Sequence, residues 1–193
     1  MPQSFRQAVI AVAVLNALYF GIEFSVALAI GSVSLFADSL DFLEDASVNF
    51  LILAAFNWSA RNRARVGMAL AGILLIPGLA ALWTALEKLV HFAVPSALPL
   101  TVTGAGALAV NSLCALMLAR FRDSGGSLAR AAFLSARNDV IANIAIIAAG
   151  LITALTPSPW PDLIVGIGVA IMNADAARGV FSVAKREHAE AKP

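Results

Sequence analysis

Asp38, Asp41, Glu44 and Asp45 are crowded into "SLFADSLDFLEDAS" (34–47), and the chain on either side, "FSVALAIGSV" and "VNFLILAAF", is almost wholly apolar. Helical residues three and four apart share a face, so Ser34, Asp38, Asp41, Asp45 and Asn49 form one line with Glu44 on its flank. A second stretch, "LSARNDVIANIAIIAAG" (134–150), aligns Ser135, Asp139 and Asn143, with Asn138 beside them. Two aspartates at i and i+4, with a third from a facing helix, can converge on one cation. A dication bound there relieves both their mutual repulsion and the cost of taking them out of water.

The elements that must position these acids are membrane helices. The chain has 193 residues, 60% of them hydrophobic and 13% charged. A soluble domain carries about 25% charged residues, so this chain lacks the charge to cover itself with a wetted surface. Apolar runs of about 20 residues are needed to cross about 30 Å of hydrocarbon. Such runs predict an all-α bundle of six transmembrane helices over about residues 7–30, 33–58, 66–90, 97–119, 129–155 and 161–183. Gly31-Ser32 makes the first two an antiparallel hairpin. The N-terminal apolar run extends too far for a signal peptide, so it reads as a retained span.

Arg6, Arg61, Arg63, Arg65, Arg120, Arg122, Arg130, Lys185, Arg186 and Lys192 all fall on one side, against Lys88 on the other. The positive-inside bias then makes both termini cytoplasmic. Residues 1–184 form one transmembrane domain, and 185–193 form a short cytoplasmic tail. A net charge of +1 recruits no nucleic acid. Cys114, the single cysteine, reads as a small packing residue. Trp83 and Trp160 lie toward the outer ends of their spans, where indole rings favour the interface.

A carboxylate at mid-bilayer costs at least ~2.5–3.5 kcal/mol on insertion scales and usually marks a pathway. The plain alternative is interhelical hydrogen-bond glue. Glue suits Asn16, Asn111 and Asn173, and Ser34 and Asn49 fit either role. It is a poor return for three carboxylates on two helices. Glu23 is a further acid within the first span. Asp38 and Asp162, nearer the outer surface, read as helix-end residues of the kind that favour N-terminal or wetted positions, and Asp175 as a partner of Arg178. The glycine pairs 104/106 and 166/168 read as sites of close helix packing.

Taken in order, "NALYFGIEFSVALAIGSVSLFADSLDFLED", "GAGALAVNSLCALMLARF", "LSARNDVIANIAIIAAG" and Asp162 make the chain resemble the cation diffusion facilitator family, which exports divalent transition metals in exchange for protons. The resemblance covers nearly the whole length. It implies a secondary transporter, not an enzyme, in the plasma or inner membrane. It also implies two metal ligands four apart on the second helix and two four apart on the fifth: Asp41 and Asp45, then Ser135 and Asp139. Ser135 stands where zinc-transporting members commonly have histidine, and the only histidines, His91 and His188, lie in a loop and the tail. The cytoplasmic domain through which many relatives dimerise is expected to be absent, leaving the membrane helices as the route to a homodimer.

The donors on offer are therefore oxygens: Asp41, Asp45, Asp139, Ser135 or Asn138, and water. Glu44, Asp38, Asn49 and Asn143 stand around them as weaker candidates. Oxygen sets suit manganese, ferrous iron or magnesium, with zinc also able to take carboxylates. The metal is substrate, no permanent cofactor is expected, and the partners are protons and the lipid bilayer. Arg137 reads as a snorkelling side chain or as a fixed cation paired with Glu44. Two rival readings are a non-transporting scaffold or metal sensor of the same fold, and an intramembrane aspartyl protease. The protease needs two acids sharing a proton, and its usual Gly-x-Gly-Asp pattern is absent.

Overall fold

The computed structural model describes residues 3–54, 62, 65, 83–88, 93–121 and 126–172, without the side chains of Ile52 and residues 126–137. Six helical segments appear: α1 (Gln3–Ile30), α2 (Val33–Ala54), α3 (83–88), α4 (Ala97–Ala119), α5 (Gly126–Leu155) and α6 (Trp160–Met172). No strand occurs among the described residues. Among the described residues three stretches are long and apolar enough to cross a membrane: all of α1, all of α4, and Asn138–Leu155 within α5. The acids of α2 keep it out of that group although it has 22 residues. α1, with 28 residues, measures about 42 Å at 1.5 Å per residue, close to the full bilayer with its headgroups.

The helices are polar inside and apolar outside. On α1 the exposed Ile10, Val14, Leu18 and Ile22 recur every four residues, and the buried face carries Asn16 and Glu23 beside Val9, Val12, Ala13 and Ala27. A water-soluble helix has the opposite arrangement. Leu98, Val102 and Leu116 on α4, Ile141 and Ile144 on α5, and Ile164 and Ile171 on α6 are exposed in the same way. Such surfaces belong against lipid.

The α1–α2 turn closes at Gly31, the only described residue with positive φ (63°), a conformation that costs other residues a Cβ clash. α1 packs along α2 and α4 along α5, while α1 also meets α4 and α2 meets α5. At the turn end, Ala27 joins Leu35, Phe36, Ala37 and Leu40 of α2, Leu100 of α4, Ala142 and Ile146 of α5, and Val169 of α6 in the main apolar core. At the opposite end, Phe5 and Val9 pack with Leu53 and Phe121. The acids lie between these two layers.

Candidate metal centre

The turn end is locked by Asp162 of α6. Its Oδ1 accepts from Ser32 Oγ (2.6 Å), Ser34 Oγ (2.7 Å) and the Ser34 amide (3.2 Å). Oδ2 accepts from the Val33 amide (2.9 Å) and from Lys88 Nζ of α3 (2.8 Å). The first amides of a helix have no partner within it, and here a carboxylate from another helix satisfies two of them, its charge matched to the positive helix end. Asp162 and Lys88 are both buried. Asp162 therefore holds an N-terminal position, in the first turn of α6 and against the first amides of α2, but not a wetted one, and Ser34 belongs to this knot and not to the acid line below it. Gly166 makes the approach possible, since a Cβ there would meet the Val33 carbonyl carbon and Ser34 amide nitrogen at 2.7 Å.

Gly104 and Gly106 likewise face close neighbours, Ile146 and Tyr19, whereas a Cβ on Gly168 would meet nothing within 4 Å. Three of the four paired glycines are thus packing sites, and Gly168 is not.

One turn further along α2 lies Asp38. It is fully buried, so it too departs from the wetted position expected of it. Asn143 Nδ2 of α5 donates to its Oδ2 at 2.5 Å, and Asn111 Nδ2 of α4 donates to Asn143 Oδ1 at 3.0 Å. A relay of amides thus links three helices to one carboxylate. Asn111 is the interhelical glue its sequence position implied, and Asn143 holds an acid.

Asp41, Asp45 and Asp139 follow. Asp139 is buried; Asp41, Glu44 and Asp45 are half-buried. Asp41 lies within Coulombic reach of Asp139, Asp38, Glu44 and Asp45, and Asp139 within reach of Asp45, Asp38 and Glu44. The α2 and α5 acids therefore face one another inside the bundle. Asn16 Nδ2 of α1 reaches Asp45 Oδ2 at 3.4 Å, and Cys114 Sγ of α4 lies 3.8 Å from Asn16 Oδ1. Asn49 turns its amide back to the Asp45 carbonyl oxygen at 2.7 Å, and Asn138 is exposed. Among the described residues no three His, Cys, Asp or Glu side chains are drawn together tightly enough to hold a metal. The carboxylates are neighbours, not a closed cage. The side chains of Ser135 and Arg137, and residues His91, Asn173, Asp175, Arg178 and His188, lie outside the described residues.

Spacing alone missed the α1 contribution. Asn16 and Glu23 are seven residues apart, two turns on one face, and both are buried against α2 acids. That spacing was the available signal.

An apolar-faced helical bundle with facing acids has a counterpart among known families. A family model for the cation efflux transmembrane domain matches residues 9–187. The chain belongs to the cation efflux, or cation diffusion facilitator, family. A search of curated proteins returns no match. As a cation efflux protein it is an integral membrane transporter of metal cations and not an enzyme, and the divalent metal is cargo with no cofactor required.

Proposed function

We propose that the protein exports a divalent first-row cation from the cytoplasm in exchange for protons, through a site made by Asp41 and Asp45 of α2 and Asp139 of α5, with Ser135 as the fourth ligand. The reading includes six spans, both termini in the cytoplasm, a single domain over 1–184 and a location in the cell membrane. The observation that supports it is the electrostatic proximity of Asp41 to Asp139, and of Asp139 to Asp45, where α2 packs against α5. Like charges held together in a low dielectric repel strongly. A dication offsets that repulsion and draws the two helices together; protons arriving from the far side compete for the same oxygens and release it. Alternating exposure then requires only that the bundle prefer one opening with metal and the other with protons.

The metal class follows from the donors. Carboxylate, hydroxyl and water favour manganese or ferrous iron, with zinc as the competitor. Proteoliposomes loaded with a pH-sensitive dye test the whole reading. Manganese or iron added on the cytoplasmic face should move protons the other way, and Asp41→Ala should stop both fluxes. Zinc flux without manganese or iron flux refutes the metal class; metal binding with no flux of any ion favours the non-transporting scaffold or sensor.

A further inference from the structure

Glu23 is an acid for which the metal site has no use. It projects from α1, is fully buried, and neither carboxylate oxygen has a hydrogen-bond donor. α1 and α2 pack along one another, and the ring contacts Phe24–Phe36 and Tyr19–Phe42 bracket the level of the hairpin at which Glu23 and Asp38 lie, within electrostatic reach of each other. Asp38 Oδ2 takes the Asn143 amide, while Oδ1 has no donor. Two ionised carboxylates have no proton to give each other, so the three orphaned oxygens of the pair cannot satisfy one another as drawn charges.

Among the described residues the surroundings offer no remedy. The titratable groups around the pair are Tyr19 on α1, Asp41 on α2 and Asp139 on α5. Tyr19 spends its hydroxyl proton on the Thr103 carbonyl at 2.6 Å. From α4 the polar group near this level is the neutral Asn111, already bound to Asn143. The buried cation Lys88 is committed to Asp162. A buried polar group without a partner costs about 1–3 kcal/mol and a bare charge far more.

We infer that Glu23 and Asp38 form a proton-binding site separate from the metal ligands, with one proton carried on Glu23 and donated to Asp38 Oδ1. One proton satisfies both the Glu23 hydroxyl and the orphaned Asp38 oxygen, and leaves the pair with a single negative charge, already steadied by Asn143. The asymmetry fixes which residue carries it: Asp38 has an amide donor that favours its ionised form, and Glu23 has none. The site stands three residues along α2 from Asp41, so a dication at the metal centre acts on it through space. Metal arrival favours loss of the proton, and its return favours loss of the metal. This deepens the proposed proton coupling and rests on that reading for its role in transport, though not for its existence.

Infrared difference spectroscopy of the full chain in lipid nanodiscs tests it. At neutral pH the wild type should show a protonated-carboxyl C=O stretch that shifts in D2O and bleaches on adding manganese. Glu23→Gln should remove one component of that band, and Asp38→Asn should shift the frequency of the same component. Calorimetry in buffers of different ionisation enthalpy should find one fewer proton released per manganese bound to Glu23→Gln, with metal stoichiometry unchanged. Absence of the band in the wild type overturns the inference whatever the variants do. So does a band left unchanged in position and intensity by Glu23→Gln, or a lost metal in that variant, which would make Glu23 a ligand. Because the band is read without transport, its presence beside absent flux would sink the exporter reading alone.

Discussion

Asp162 accepts five hydrogen bonds from two segments of chain, residues 32–34 and Lys88, and the order in which its partners matter can be worked out from them. Removing the carboxylate (Asp162→Ala) strips the buried Lys88 of its ion-pair partner and uncaps α2. Breaking a buried pair from one side costs about 3–5 kcal/mol, so thermal unfolding in detergent should occur well below the wild-type temperature. Lys88→Ala leaves Asp162 four donors, from Ser32, Val33 and Ser34, and should be the milder change. Equal losses in the two would show that the caps contribute little. At the metal centre Asp45→Asn and Asp139→Asn should each abolish flux while the protein still inserts and runs as a single species on gel filtration. Retained flux in either removes that residue from the site. Asn16→Ala takes one long hydrogen bond from Asp45, worth about 1 kcal/mol, and should weaken manganese binding about fivefold.

At the scale of helices, Gly166 and Gly168 make a matched pair. Alanine is favoured over glycine in a helix interior by about 1 kcal/mol, and at Gly168 nothing opposes it, so Gly168→Ala should be neutral or stabilising. At Gly166 the same methyl meets α2 backbone and forces α6 away, costing about 1–3 kcal/mol as overpacking; circular-dichroism melts separate the two. The sequence reveals a helix's faces but not its neighbours. The i, i+4 rule puts Asp41 with Asp45 and Ser135 with Asp139, and of these Asp41 and Asp45 lie within electrostatic reach of Asp139, while the Ser135 side chain lies outside the described residues. The same rule cannot say that Lys88 meets Asp162, 74 residues away, or that Glu23 turns toward Asp38. Those pairings depend on how each helix is rotated in the packed bundle. The same blindness explains why Asp38 and Asp162 look wetted from their position along the chain: depth was legible, burial was not. The boundaries of α4 agree with the hydropathy reading, because Pro95 and the arginines of "ARFR" end the apolar run sharply.

For the molecule as a whole, the proposed orientation can be read with single cysteines. Arg65→Cys, exposed beyond α2, should react with a membrane-impermeant maleimide only from the cytoplasmic side. Val94→Cys, exposed before α4, should react only from outside, and the native Cys114, buried against Val12 and Leu118, should stay silent until the protein is denatured. Labelling of both introduced cysteines from one side would invert or abolish the topology. The Asp162 knot also bears on how such a bundle moves. Because the α2 amides at the turn end are held by Asp162 of α6, itself fixed by Lys88 of α3, that end of α2 is pinned, and the far end should travel the greater arc if the helix tilts. Asp45, one turn beyond Asp41, therefore sweeps further than Asp41 against Asp139, and spin-label pairs near the two levels should report unequal displacements on adding metal.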